Sequence, residues 1–199
     1  MTRVACIDIG TVTARLAVAD VEGGHVVRLA KRSQICNLGQ DVDKTHRLHQ
    51  DAMERVFGCV AAYVEEARRA GATSACCTLT SAARDAQNAR ELGAALASLG
   101  LEPMVIPGAV EGSLTFLGVA QDFVGHRILV ADNGGGSTEL AMGCLGTDGI
   151  LELDFVRSVD VGCRRLTERF LAGEGPAAAG ALLSARELAG QKFAPVIAE

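Results

Sequence analysis

The chain contains no tryptophan, a single tyrosine and only 4% aromatic residues in its 199 positions. The flat side chains on which single-stranded nucleic acid stacks are therefore scarce, which argues against a nucleic-acid partner. Basic residues (19) are fewer than acidic ones (24), and the formal charge of −5 supplies no global field that would draw in a polyanion. A phosphate-rich ligand must be held by local donors instead. No apolar run approaches the length of a membrane span. The apolar start Val4-Ala5-Cys6-Ile7 is cut off by Asp8 before a targeting segment could form. The seven cysteines include no C-x-x-C pair. Such a set reads as reduced thiols of the cytoplasm. The vicinal Cys76–Cys77 admits a redox role, with buried strand residues as the alternative.

Hydrophobic residues make up 49% of the chain and charged ones 22%, enough for a packed core. Short β-branched runs predict strands over Val4–Ile9, Ala14–Ala19 and His25–Arg32. Spacings of three and four among Met53, Val56, Phe57, Val60, Ala61 and Val64 predict a helix over Leu48–Ala70, stopped by Gly71. A strand over Ala75–Leu79, a helix over Ala82–Leu99, a strand over Met104–Ile106 and a helix over Ala109–Ala120 complete a β-β-β-α-β-α-β-α order. That order is an α/β layer architecture. The pattern then restarts, dividing the chain into 1–125 and 126–199. Strands are expected over Ile128–Asp132, Thr138–Met142 and Gly149–Arg157, with helices over Arg164–Leu171 and Ala177–Ala189.

The restart is a repeat. The segment from Asp8 to Ala17 lies over that from Asp132 to Ala141 without a gap. Asp, Gly, a hydroxyl residue, Leu and Ala agree in register across a strand–turn–strand junction. Duplication implies two similar halves with their turns facing one cleft. The second half has fewer strands than the first, so it is expected to be an incomplete second domain.

Asn133-Gly134-Gly135-Gly136-Ser137 joins two strands, which excludes a dinucleotide-binding fingerprint, and no P-loop pattern is present. Successive glycines can aim several N–H groups at an anion, with Ser137 and Thr138 adding hydroxyls. An ordinary hairpin turn is the alternative. Gly10, Thr11 and Thr13 form the matching first turn. Asp8 and Asp132 end strands expected to be buried, where a carboxylate needs a partner or a cation. With Glu139 they form a candidate Mg²⁺ set bound largely through water; the alternative is that each only orients its turn. Ser81 stands at a helix start that could receive an anion, or could simply cap it. Arg84 in that first turn opposes the helix dipole, a conflict that a bound anion would remove. From spacing alone, Glu111 complements the dipole of its own helix.

These residues resemble the exopolyphosphatase and guanosine pentaphosphate phosphohydrolase family of the actin-like, ribonuclease H-like fold. The resemblance runs through Asp8-Ile9-Gly10, Thr80-Ser81-Ala82-Ala83-Arg84-Asp85-Ala86, Glu111 with Leu114-Thr115-Phe116-Leu117-Gly118, Asp132 to Leu140, and Leu166-Thr167-Glu168-Arg169-Phe170. It implies a Mg²⁺-dependent hydrolase that removes the terminal phosphate of polyphosphate or guanosine pentaphosphate. It also implies Glu111 as general base and a homodimer. A non-catalytic phosphate- or nucleotide-binding module and an ATPase or kinase of the same fold are the rivals. Two positions depart from the family pattern: Val12 stands where the first turn carries a polar residue, and Asn37 where an arginine precedes Leu-Gly.

Overall fold

The computed structural model describes residues 1–173 and 175–198. They form two compact units, Met1–Ile106 and Pro107–Glu199.

In the first unit, β1 (Thr2–Ile9), β2 (Thr13–Glu22) and β3 (His25–Ile35) form an antiparallel meander. The short α1 (Val42–Thr45) and the long α2 (Gln50–Arg69) lead to β4 (Ser74–Leu79), which pairs parallel to β1. Then come α3 (Ser81–Asp85), α4 (Ala89–Ala97) and β5 (Pro103–Val105). The sheet order is β3-β2-β1-β4-β5, so β3 lies on an outer edge, and all its residues are exposed. The core lies on one sheet face. Ala5, Ile7 and Ile9 of β1 and Leu16 of β2 pack there with Val56, Val60 and Val64 of α2 and Leu92 and Leu96 of α4. This is the helical stripe that the apolar spacing predicts. α2 and α4 are followed by Gly71 and Gly100 at φ 80° and 84°, a left-handed conformation that glycine adopts without cost.

The helix expected over Ala82–Leu99 is broken into α3 and α4. Asn88, buried at 6% exposure, takes the Leu48 N–H at 2.8 Å and donates to the Leu48 carbonyl at 3.0 Å. Beside it, the Gln87 N–H reaches the His46 carbonyl at 2.9 Å. These bonds to a distant loop win over helical continuity, since unpaired buried backbone groups cost about 1–3 kcal/mol each.

Arg3 on β1 donates to both carboxylate oxygens of Asp20 on β2, at 2.6 and 2.9 Å, and to the Ala70 carbonyl after α2 at 2.6 Å. The hydrogen bond from Arg3 holds the Asp20 carboxyl below its ordinary range. A depressed folded-state pKa contributes stability above the unfolded value of about 3.9, and that stability is lost as pH falls through the folded value. Arg3→Gln is therefore expected to move acid unfolding to higher pH in a circular-dichroism titration. An unchanged midpoint would show that the pair contributes nothing.

The second unit opens with α5 (Gly108–Ala120) and a 3₁₀ turn (Gln121–Phe123). The antiparallel strands β6 (Arg127–Asn133), β7 (Thr138–Leu145) and β8 (Leu151–Val159) follow, in that spatial order. Phe116 and Ala120 of α5 pack with Ala141 and Leu145 of β7, with Ile128, Val130, Leu153 and Val156 around them. α5 thus groups with the second sheet, and the units divide ahead of the restart at residue 126. The helix expected over Arg164–Leu171 is a single turn, α6 (Cys163–Leu166), followed by a π turn (Thr167–Leu171). α7 (Ala179–Ile197) runs beyond the expected Ala189 and carries Pro195. Among the described residues no helix is long and apolar enough to cross a membrane.

Candidate phosphate-binding turns and carboxylate site

The two repeated turns share one backbone geometry. The Gly10 N–H donates to the Thr13 carbonyl at 2.9 Å, and the Gly134 N–H donates to the Ser137 carbonyl at the same distance. A Cβ on either glycine would stand 3.2 Å from that carbonyl oxygen, so both turns are tight for the same reason. Within each turn the two middle amides, those of Thr11 and Val12 and those of Gly135 and Gly136, donate no hydrogen bond among the described residues. Their carbonyls, by contrast, are well occupied. Thr11 accepts from Gly39, and Val12 from Cys36 and Asn37; Gly135 accepts from Arg164 and Arg165 at 2.9 and 3.1 Å. The Gly136 carbonyl takes the Arg165 Nε at 2.7 Å, which brings a guanidinium to the glycine run. In both turns the carbonyls are thus held by the protein while the two middle amides are left undonated.

Two residues that hold these turns escape a reading by motif. Gly39, after β3, and Gly162, after β8, each approach a turn so closely that an added Cβ would collide with it. A Cβ on Gly39 would strike the Thr11 side chain, and one on Gly162 would strike the backbone of Gly135 and Gly136. Leu38-Gly39 and Val161-Gly162 are thus a further matched point of the duplication, visible in sequence only when the alignment is carried past the hairpin. Asn37, at the position of the family's arginine, has φ 53°, a left-handed conformation that asparagine tolerates, and its N–H donates to the Val12 carbonyl at 2.8 Å.

Around the first turn, the Thr80 N–H donates to the Ile9 carbonyl at 3.2 Å and sets the buried Thr80-Ser81 pair beside Gly10. α3 has only five residues, and the Thr80 hydroxyl makes no capping bond. Arg84 donates to the Ile106 carbonyl at 3.1 Å. That bond ties the short helix to the residue after β5. Asp8 is not deeply buried. It pairs with Arg15, directly across the strands, at 3.2 Å, and accepts from the Thr78 hydroxyl at 3.2 Å.

The second turn carries the opposite electrostatics. Asp132 lies across from Glu139, the register position that Arg15 holds in the first half. Asp132 is exposed, contrary to the expectation of a buried strand end; among the described residues β6 pairs with β7 alone. Glu139 is buried at 3% exposure, and its Oε1 accepts the Ser137 and Ser158 hydroxyls at 2.8 and 2.7 Å. The Thr138 hydroxyl donates to the Val161 carbonyl at 2.6 Å. The protons of both candidate phosphate-binding hydroxyls are thus used within the protein, which leaves the turn's donor role to its amides.

α5 lays its first turn against this hairpin. A Cβ on Gly112 would stand 3.4 Å from the Glu139 Cβ, and the Thr115 hydroxyl, one turn on from Glu111, lies 3.5 Å from Asp132 Oδ2. Glu111, half-buried, therefore belongs to the neighbourhood of Asp132, Glu139 and the glycine turn. Thr115 and Ser158 belong there too; Thr115 lies in a segment that carries the family resemblance, whereas Ser158 stands in no motif. Among the described residues, no group of three or more His, Cys, Asp or Glu side chains forms a cation cage.

An Asp-ended strand, a glycine turn and a return strand, repeated in two α/β units, define a protein of the actin-like fold. The model of the Ppx/GppA phosphatase family matches residues 17–199, and the chain belongs to that family. It is 36% identical over 213 residues to Exopolyphosphatase 2 of Mycobacterium tuberculosis, across 99% of this chain and 63% of that protein. An exopolyphosphatase-like protein of solved structure superposes with TM-score 0.83 at 33% identity, covering 96% of this chain and 61% of its own. The Ppx-GppA enzyme of Aquifex aeolicus does so with TM-score 0.75 at 29% identity, covering 98% and 64%. The chain spans less than two thirds of the length of each.

Proposed function

We propose that the protein is a Mg²⁺-dependent phosphohydrolase that releases the terminal phosphate of inorganic polyphosphate or guanosine pentaphosphate. The observation that carries this reading is the pair of matched turns, each with two undonated amides. Membership of the Ppx/GppA phosphatase family and the names of its relatives support it. In this reading the amides of Gly135 and Gly136, set by the tight turn at Gly134, bind phosphoryl oxygens, with Arg165 beside them. Gly10, Thr11 and Thr13, with Ser81 and Arg84, offer a second phosphate contact in the first unit. Glu111 orients a water and takes its proton for in-line attack.

Asp132 and Glu139 fit Mg²⁺ by donor type. Both are hard oxygen ligands on one registered pair, and this ion needs only one or two carboxylates while keeping several waters. Asp8 offers a further carboxylate in the first unit. Bound magnesium would neutralise charge on the transferring phosphoryl group. Glu139 is already oriented by its two serine hydroxyls, so little ordering remains for binding to supply. The reading takes the protein to be cytoplasmic, with its cysteines free, and homodimeric.

The test is orthophosphate release by the full-length protein from linear polyphosphate and from guanosine pentaphosphate, with Mg²⁺ and with the metal chelated. Release that stops on chelation is expected. No release from either substrate over hours sinks the hydrolase reading. Polyphosphate binding without release would favour the non-catalytic module, which Val12 in the first turn also suits.

A further inference from the structure

In β1, Ala5, Ile7 and Ile9 enter the core, and Cys6 faces the other side of the sheet, where it is exposed. The same alternation in β4 buries Cys77 and Leu79 and leaves Cys76 exposed. The expectation that Cys76 and Cys77 are both buried strand residues therefore holds for Cys77 alone. β1 and β4 run parallel with Cys6 directly opposite Cys76, so the two thiols leave the same face of the sheet at the same level. Their neighbours on that face are Val4 and Asp8 flanking Cys6 on β1, Ala17 across from Cys6 on β2, and Ser74 and Thr78 flanking Cys76 on β4. Adjacent strands lie about 4.8 Å apart, inside the Cα separations of about 4.4–6.8 Å that a disulfide spans. Cys77 cannot compete, because it faces the core and burial pushes its thiol up to about 12.

We propose that Cys6 and Cys76 form a reversible redox pair, oxidised by a hydroperoxide to a disulfide that staples β1 to β4. The Cys76 sulfur attacks the terminal peroxide oxygen. The O–O bond breaks, and the departing oxygen takes a proton and leaves as water or an alcohol, giving a sulfenic acid on Cys76. The Cys6 sulfur then attacks the Cys76 sulfur. The S–O bond breaks as the S–S bond forms, and the departing hydroxide takes the Cys6 proton and leaves as water. Two thiols lose two electrons and two protons, and the peroxide is reduced. A cellular dithiol reverses the bond by exchange. The staple sits next to the following same-face pair, Asp8 and Thr78, which share a 3.2 Å hydrogen bond at the entrance to the first turn. Oxidation therefore locks the strand pair that leads into that turn. This inference does not depend on what the turn binds.

The test is a peptide map of the full-length protein, digested without reductant after exposure to hydrogen peroxide. The expected result is a Cys6-containing peptide joined to a Cys76-containing one, with loss of maleimide labelling at both and recovery of both with dithiothreitol. In Cys6→Ser, Cys76 should stop at the sulfenic acid and be trapped by dimedone, with no cross-link. The wild-type map decides even if that variant folds poorly. Cys6 and Cys76 remaining open to maleimide, or joined to other cysteines instead, overturns the proposal.

Discussion

Glu111→Gln should reduce the rate of phosphate release by about 10²- to 10⁴-fold, the usual contribution of a positioned general base. The substitution keeps the size of the side chain and its place in the first turn of α5, and removes its negative charge and its ability to take a proton. Substrate affinity should change little, because the proposed phosphate donors are the amides of the glycine turn, on a different segment. A loss confined to kcat therefore separates a base from a residue that merely holds the helix start, whose loss would lower thermal stability as well. If Glu111→Gln retains full turnover, the role assigned to this glutamate is wrong, whatever the turns bind.

Gly162→Ala is expected to act on binding instead. Its Cβ would run into the backbone of Gly135 and Gly136, which cannot swing aside as a side chain would, so the turn itself must move. The φ of Gly162 is −141°, within reach of any residue, so the effect is steric and not one of backbone strain. Overpacking of this kind typically costs about 1–3 kcal/mol of stability. Misaligning two amides that each contribute about 1.5 kcal/mol or more to an anion should weaken polyphosphate binding about a hundredfold. Gly39→Ala is the internal control. Its new Cβ would meet a threonine side chain that can rotate, and a smaller loss is expected. Equal losses in the two variants, read by titration with polyphosphate, would contradict the backbone-contact account.

The hairpin repeat is legible in the sequence because its constraints are local. The glycine, the hydroxyl residue and the strand-ending aspartate all sit within one turn, and their spacing survives in both copies. Helix α2 is legible for the same reason, since its buried positions follow the helical period. What sequence did not disclose depends on partners far along the chain. Asn88 breaks a helix because Leu48 needs its amide, and Gly162 is fixed by the approach of a turn that lies well before it. Glu139 reads as a bare carboxylate in sequence, yet the structure shows it clamped by two serines, one of them on another strand.

The long outer strand β3 has a consequence for the chain at high concentration. A strand of 11 residues with one edge open is a ready template for a second chain, and Val26, Val27, Leu29 and Ile35 are all exposed on it. It also carries Arg28, Lys31 and Arg32, so two copies meeting edge to edge would bring like charges together. That repulsion discourages fibrous stacking along this edge.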